Sequence, residues 1–481
     1  MKKKLLYTIA FAMLVLLQPS CKKAVEGYNV SPNNTTDASQ NLLLTGVEAS
    51  FLSFFEGDMA RLGNIWSQAF TGADRQYTGF DDYSGIAASD FSNAWEQAYV
   101  RVNANGLILE KKATDLNNKI LKGISQTLRA ATLGTVTACW ENVPFSEAGD
   151  VVAFPTPKFE TQAAVYAAVQ LLLDDAITNL TSGMGGVVPA AKDFFFGANA
   201  GRWTRVARTL KARYYLHVKD YANAHAQAVL GITSAAEDML APHGTTLAQD
   251  VNKYWSFIVR DRDSYMNAAN AYTVKLMNPS SSLYRGNTKT DERARLRYHY
   301  VQGNSIYPSP IWVANTSAGA AYGQSSKFPL VTFSETKLIE AEAFARLSTP
   351  NFTNALAALN AHRAYMNTNA GYASAFASQG FMYSPYVAAD FDPAGIENVS
   401  GSLTPINALI REIVEERYIT LIGQIEHFND MRRTKNAIGL TPVLGSSLPQ
   451  RFLYPQSEIN ANPNTPSQAV TDLFVKTVAN N

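Results

Sequence analysis

The stretch from 332 to 369, TFSETKLIEAEAFARLSTPNFTNALAALNAHRAYMNTN, decides the fold. Ser334 stands where a helix N-cap is expected, and residues 335–347 contain no Gly or Pro. Pro350 then ends the helix. Apolar residues recur at i, i+3, i+4 and i+7 between 352 and 359, which predicts a second helix directly after the first.

Two helices joined by a few residues form an αα-hairpin. Alanines such as Ala341, Ala345 and Ala355 allow the two backbones to approach closely. Neither helix can bury its apolar face alone, so the hairpin must stack on further helices, as in helical-repeat scaffolds. The pattern therefore predicts a mainly α fold.

The rest of the chain alternates between helical periodicity and irregular segments. Helices are predicted at 42–55, 65–70, 90–113, 116–140, 162–180, 202–229 (interrupted near Asp220) and 404–421. Long irregular loop inserts are predicted at about 71–89, 232–331 and 371–403, with possible short strands at Tyr254–Val259 and Tyr298–Val301. Because a long insert in a compact protein is usually functional, we expect helices to form the scaffold and inserts to contact ligand.

The composition excludes some classes of partner. Among 481 residues, charged residues make up 17% and the net charge is +1, whereas charged residues usually reach about 25%. The chain has no basic footprint for nucleic acid. Hydrophobic residues make up 46%, which is enough for a substantial core.

The N-terminus resembles a lipoprotein signal. Lysines at 2–4 precede an apolar run at 5–17, which is too short to span a bilayer comfortably, and Cys21 follows. We therefore predict a signal peptide at 1–20, a lipidated Cys21 with palmitate among its acyl chains, a tether at 21–40 and one domain at 41–481. The alternative is an ordinary signal peptide followed by a chance cysteine.

Catalytic signatures are missing from the sequence. It contains no GxSxG, HExxH, P-loop, CxxC or GxGxxG pattern. His427 and Asp430 could offer two metal ligands, but a structural hydrogen bond is the more common role of such a pair. We predict no catalytic residue, no metal site and no cofactor.

Two further groups of residues have simple structural interpretations. Glu412, Glu415 and Glu416 stand beside arginines on one predicted helix, which indicates a solvated or i,i+4-paired face. Cys139 lies in an apolar helical run, which indicates an inert buried thiol.

Aromatic residues are frequent inside the inserts. The candidate ligand-binding residues are Tyr77, Tyr83, Trp255, Tyr284 and Trp312. Flat rings with polar rims suit the C–H faces of sugars, and neighbouring amides and arginines can bind hydroxyl groups. The alternative for each ring is that it fastens its loop to the scaffold.

Several segments, in order along nearly the whole chain, resemble the SusD/RagB family of outer-membrane lipoproteins from Bacteroidetes, specifically its SusD-like branch. They are SPNNTTDAS (31–39), SNAWEQAY (92–99), FETQAAVY (159–166), RWTRVARTLKAR (202–213), PLVTFSETKLIEAEA (329–343), FNDMRRT (428–434) and LPQRFLYPQSEINANP (448–463). The sequence departs from the family pattern at Glu141-Asn142, where Gly-Asp is expected, and at Lys22-Lys23-Ala24, where many surface lipoproteins carry acidic residues.

The resemblance implies a tetratricopeptide-like helix-pair scaffold whose irregular inserts form the ligand face. It implies a lipid-anchored protein of the outer membrane, facing outside, that is not an enzyme. Its expected partner is a SusC-like TonB-dependent transporter, to which it delivers captured oligosaccharide. The shared segments belong to the scaffold, so the resemblance assigns no ligand residue.

Three other functions remain open at this stage. The same fold could capture peptides, which would favour grooves that pair with a peptide backbone. A secreted glycan hydrolase would need two carboxylates facing each other across a cleft. A purely structural surface protein would need neither.

The lipid anchor gives a direct prediction. The substitution Cys21→Ala removes the acceptor of the lipid, so we expect the protein to leave the membrane fraction. The measurement is the share of protein in membranes and in the soluble fraction after cell lysis. Retention of the variant in membranes would contradict the predicted anchor.

Overall fold

The chain is mainly α-helical, as predicted, and its strands are short. The computed structural model describes residues 38–185, 190–368, 372 and 374–481. The predicted signal peptide, Cys21 and residues 21–37 of the predicted tether lie outside the described residues. Residues Gln40–Asn481 form one compact unit.

Helices follow one another along the scaffold and are separated by the inserts. The α-helices are α1 (Gln40–Phe55), α2 (Asp58–Trp66), α3 (Gln76–Asp81), α4 (Ser92–Glu96), α5 (Asn105–Asp115), α6 (Lys119–Trp140), α7 (Gln162–Thr181), α8 (Ala200–His217), α9 (Tyr221–Ala228), α10 (Lys253–Trp255), α11 (Tyr272–Met277), α12 (Arg293–His299), α13 (Phe333–Ala345), α14 (Phe352–Asn367), α15 (Pro405–Thr420), α16 (Ile425–Arg433) and α17 (Gln456–Ala461). Two π-helical stretches are Gln97–Ala104, which joins α4 to α5, and Ser256–Asp261, which continues α10.

The strands occur in antiparallel pairs. They are β1 (Thr71–Gly72), β2 (Met239–Ala241), β3 (Met266–Asn267), β4 (Thr290–Asp291), β5 (Tyr300–Gln302), β6 (Trp312–Ala314), β7 (Phe328–Val331) and β8 (Met382–Tyr383). The pairs are β1 with β3, β2 with β7, β4 with β8, and β5 with β6.

The hairpin predicted between 332 and 369 is confirmed as α13 and α14. Its first helix starts slightly earlier than expected, because the Thr332 hydroxyl, and not Ser334, accepts the N–H of Glu335 at 3.1 Å. Asn351 caps α14 in the same way. The alanines that face the partner helix, among them Ala341 and Ala355, are fully buried.

Neighbouring helices pack in pairs along the scaffold. The most extensive packing joins α6 to α7, α13 to α14, α8 to α9, α7 to α8, and α5 to α6. Every residue of α6 from Gly123 to Trp140 is buried, so this helix lies at the centre of the N-terminal half. The predicted interruption near Asp220 is confirmed, since Asp220 caps α9.

The insert at 232–331 is more regular than the sequence indicated. It contains α10 to α12 and strands β2 to β7. The strand predicted at Tyr254–Val259 is wrong, because the Asn252 side chain accepts the N–H of Trp255 at 3.0 Å and starts a helical turn there. The strand predicted near Tyr298–Val301 starts later, at Tyr300.

Charged groups lie inside the scaffold and join its helices. Glu342 on α13 has no exposed surface and contacts Arg433 on α16 at 2.6 Å. Asp430 accepts from Arg417 and Arg433, each at 2.7 Å. Burial alone would raise the pKa of both carboxyl groups, but the guanidinium groups outweigh it and hold both pKa values below the ordinary range.

The glutamates of α15 are a second buried cluster, so the prediction of a solvated face is wrong. Glu412 and Glu416 are almost completely buried. Arg285, from the second insert, reaches Glu412 at 2.7 Å and Glu416 at 2.9 Å. This arginine, distant in sequence, supplies a countercharge that offsets the desolvation cost of burying the two carboxylates.

The interpretation of Cys139 as a buried thiol agrees with the structure. Cys139 is a buried free cysteine, and burial raises the pKa of its thiol to about 12. Among the described residues, no helix is long and apolar enough to cross a membrane.

The packing of the hairpin can be tested by enlarging one alanine. Ala341→Phe adds a ring between α13 and its neighbours, where no exposed surface remains, so we expect a loss of about 1–3 kcal/mol in the free energy of unfolding. Ala364→Phe, on an exposed position of α14, is the matched control and should change it by less than about 0.5 kcal/mol. Equal effects in chemical denaturation would show that the hairpin is not buried.

The buried charges can be tested with Arg433→Met. This change leaves Glu342 and Asp430 short of a countercharge, so we expect a loss of about 3–5 kcal/mol in the free energy of unfolding at neutral pH. Arg346→Met also removes a partner of Glu342, since Nε of Arg346 lies 2.9 Å from Oε1 of Glu342. The side chain of Arg346, however, is partly exposed to solvent. We expect that control to lose less than about 1 kcal/mol.

The same variant should alter the dependence of stability on pH. Carboxyl groups with lowered pKa values stabilise the fold above their ordinary pKa of about 4, and this stabilisation is lost as the pH falls below it. Arg433→Met removes part of the cause of the lowered values at Asp430 and Glu342. The variant should therefore lose less stability than the parent between neutral and acidic pH, and an unchanged pH profile would contradict this account.

Candidate functional site

The three inserts meet through short strand pairs. Strand β1 of the first insert pairs with β3 of the second, with Thr71 opposite Asn267. Strand β4 of the second pairs with β8 of the third, with Thr290 opposite Tyr383. Segments that are far apart in sequence are thus held side by side.

An open groove of about 370 Å³ lies between the second and third inserts. We call it the Trp312 groove. Its lining residues are Asn278, Pro279, Ser280, Arg293, Leu296, Arg297, Gln302, Trp312 and Gln379. Most of these side chains are polar, and the groove contains one aromatic ring.

Trp312 is fixed in the groove by its backbone. Its strand pairs with β5, where Gln302 is the opposite residue. Its carbonyl also accepts the N–H of Ala268 at 2.8 Å. The half-buried ring also packs against the main hydrophobic core, so it needs little reorganisation to receive a ligand.

Arg297 lies beside this ring. Its guanidinium carbon is 5.2 Å from the centroid of the Trp312 ring, which is a cation–π distance. In the described part of the chain Arg297 has no ion-pair partner, whereas Arg293 pairs with Asp291 at 2.6 Å. Arg297 consequently keeps its N–H donors available for a ligand in the groove.

The chemistry of the groove suits polyhydroxylated ligands. An indole ring supplies an apolar surface, a guanidinium supplies donors, and the amides of Asn278, Gln302 and Gln379 supply both donors and acceptors. Such a combination holds a ligand by its C–H face and its hydroxyl groups together.

Tyr284 lies next to the groove without lining it. The half-buried phenol accepts the N–H of Glu292 at 3.3 Å. Its hydroxyl also faces the carboxylate of Asp291, whose partner Arg293 is a groove residue. Tyr284 and Trp312 are therefore brought to the same region.

Tyr77 and Tyr83 are buried, each 7% exposed. The Tyr77 ring packs against Phe257 at 5.1 Å between ring centroids, and its hydroxyl accepts from Arg61 at 3.3 Å. The Tyr83 hydroxyl accepts the N–H of Val443 at 3.3 Å. Both rings fasten the first insert to other segments, and neither lines the Trp312 groove.

Trp255 is half-buried and also lies outside the groove. It stands between Lys253 and Ser256, which line a separate polar cavity of about 380 Å³ together with Asp58 and Arg61. The structure therefore does not bring Trp255 together with Trp312.

Sequence reasoning expected amides and arginines near the rings but named only aromatic residues as candidates, so it missed the individual polar residues of the groove. A signal was present in α12, where Arg293 and Arg297 are four residues apart. That spacing places them on one face of a helix, and both line the groove. Recognising it required knowing that this irregular-looking segment is helical.

His427 and Asp430 take structural roles. Nδ1 of His427 lies 2.5 Å from the Ser67 hydroxyl, and Asp430 is paired with two arginines. Among the described residues, no group of three or more possible ligands could hold a metal ion.

Comparison with known proteins identifies the family to which the chain is similar. A family model named SusD-like_2 and described as "starch-binding associating with outer membrane" matches residues 32–455. No curated protein sequence matches the chain.

Solved structures share the fold at low sequence identity. A SusD/RagB family protein from Bacteroides thetaiotaomicron is 19% identical, with a TM-score of 0.68 over 92% of this chain and 98% of that chain. A SusD homolog from Bacteroides uniformis is 15% identical, with a TM-score of 0.68 over 92% and 100% of the two chains. A chitin-binding SusD homolog from Flavobacterium johnsoniae is 17% identical, with a TM-score of 0.63 over 87% and 93%.

The family model covers most of the chain, and these structures share its fold. The chain therefore belongs to the SusD-like family.

Proposed function

We propose that this protein captures oligosaccharides in the Trp312 groove and delivers them to a SusC-like TonB-dependent transporter. The observation that carries the proposal is the fixed, half-buried Trp312 ring beside an Arg297 without an ion-pair partner, in an open and mostly polar groove. The family description and the chitin-binding homolog support a glycan ligand over a peptide.

Capture in the groove would use contacts that are already in place. A sugar ring would pack on Trp312, while Arg297 and the groove amides bind its hydroxyl groups. Few side chains have to be ordered on binding, which limits the entropic cost. Modest affinity is sufficient, because an anchored protein next to its transporter raises the local concentration of the captured ligand.

The location and partner belong to the same proposal. Lipidation at Cys21 would hold the protein on the outer membrane, with the Trp312 groove available to glycans outside the cell. The family is described as associating with the outer membrane, which supports this location. The protein would act by binding and transfer, without converting its ligand.

The test is the substitution Trp312→Ala. Removing the ring takes away the apolar surface, so we expect binding of the preferred oligosaccharide to weaken by about tenfold or more, which corresponds to about 1.4 kcal/mol. The ligand is first identified on a glycan array that includes starch and chitin oligosaccharides, with a peptide library in parallel. Calorimetric titration then gives the dissociation constants.

Trp255→Ala is the matched control, because Trp255 is also half-buried but lies outside the groove. It should leave binding unchanged, and melting temperatures verify that both variants fold. Equal binding by parent and Trp312→Ala would exclude the groove as the site. Selective peptide binding would favour the peptide-capturing alternative, and cleavage of the bound oligosaccharide would favour a hydrolase.

A further inference from the structure

A second cavity lies on the other side of α12 from the Trp312 groove. Its volume is about 390 Å³, within the usual range for small-molecule sites. We call it the tyrosine cavity, after the rings that line it: Tyr298, Tyr322, Tyr365 and Tyr372. It reaches the surface near Gly319 and Lys327, which are exposed.

Three buried polar side chains line this cavity without a hydrogen-bond partner in the described part of the chain. They are Ser334, Gln424 and Tyr372, which are 7%, 5% and 4% exposed. Most buried polar groups in proteins are hydrogen-bonded, and leaving one unpaired is costly. The hydroxyl of Tyr372 is such a fully buried, unpaired group. The side chains of Ser334 and Gln424 line the same cavity with donors and acceptors that are free for a ligand, which indicates a ligand with several hydrogen-bonding groups.

Asp238 lines the same cavity and lacks a countercharge. One of its oxygens accepts the N–H of Phe333 at 2.6 Å, but among the described residues no cation pairs with it. The pKa of Asp238 is raised to about 7, mainly by burial and to a smaller extent by the nearby acids Glu237 and Glu335. A bound cation would supply the countercharge that Asp238 lacks.

The two basic residues that line the cavity do not neutralise Asp238. Arg295 is buried and pairs with Glu416 at 2.7 Å. Lys327 is exposed at the mouth and forms no ion pair with Asp238. The histidine of the cavity, His299, is neutral, because burial lowers its pKa to about 3.

The tyrosine rings suit both parts of a cationic, hydroxylated ligand. Tyr298 and Tyr372 lie with ring centroids 6.4 Å apart, and Tyr365 lies close enough to Asp238 for the carboxylate to raise its pKa. Aromatic faces attract an ammonium group and also pack against C–H surfaces.

We propose that the tyrosine cavity binds an amino sugar with a free, protonated amine: Asp238 binds the ammonium group, Ser334 and Gln424 bind hydroxyl groups, and the tyrosine rings contact the sugar ring. This site lies outside the Trp312 groove, and the proposal does not depend on what the groove binds. It distinguishes sugars by the charge at one carbon.

The probes are D-glucosamine, N-acetyl-D-glucosamine and D-glucose, added to the full chain at neutral pH. These three sugars share a ring and differ in one substituent, which is an ammonium, a neutral amide or a hydroxyl group. We expect glucosamine to bind about tenfold more tightly than the other two, since a charge-assisted hydrogen bond to a buried carboxylate is stronger than a neutral one. Ligand-observed NMR titration measures all three affinities.

Asp238→Asn keeps an oxygen for the N–H of Phe333 and removes only the charge. This variant should reduce the affinity for glucosamine to the level of glucose. It should leave the affinity for glucose unchanged. Gln424→Leu is a second variant, which leaves the charge of Asp238 in place. It should weaken the binding of every sugar that binds in the cavity. Absence of glucosamine binding by the parent, equal binding of the three sugars, or full glucosamine binding by Asp238→Asn would each overturn the proposal.

Trp312→Ala separates the two sites. It should leave glucosamine binding intact, even where it weakens oligosaccharide binding. Loss of glucosamine binding in Trp312→Ala, with Asp238→Asn unaffected, would place the amine in the Trp312 groove and overturn the proposal for the tyrosine cavity. Failure of oligosaccharides to bind at all would contradict the proposed function and leave the glucosamine result as an independent measurement.

Discussion

The carboxylate of Glu342 sits fully buried on α13, and a guanidinium group from α16 lies 2.6 Å away. Glu335 lies about two turns before Glu342 on α13, and Arg213 on α8 binds it through two hydrogen bonds of 2.6 Å. A buried charge without its partner is strongly destabilising, so these helices have few alternative registers. The positions of the inserts between the helices follow from this constraint.

Arg285 extends the same constraint into the second insert. It reaches the α15 glutamates and also contacts Glu292, directly before α12. Arg295 on α12 adds a bond to Glu416 at 2.7 Å. The helix that separates the two candidate binding sites is therefore fastened to the scaffold by buried ion pairs, which gives the sites a rigid wall.

Alternate faces of α12 serve the two sites. Arg293 and Arg297 point to the Trp312 groove, whereas Tyr298 and His299 line the tyrosine cavity. The third insert completes both, through Gln379 in the groove and Tyr372 in the cavity. One short helix thus places a cationic rim toward the groove and aromatic rings toward a buried carboxylate, and the two sites can differ in the ligands that they select.

The sequence by itself determined the helix-pair scaffold, because the periodicity of residues such as those at 352–359 and the caps at their ends are local properties of the chain. It also indicated that Trp312 lies in an insert, and that Asp220 interrupts a helix. Only the tertiary structure decided that Glu412 and Glu416 are buried and that Tyr77 and Tyr83 fasten loops. It alone brought Asp238, Ser334 and Gln424 to one cavity. The reason is that burial and charge pairing depend on distant partners. Arg285, for example, lies more than 100 residues before Glu412 in sequence, and the local sequence around Glu412 does not indicate which distant side chain will pack against it.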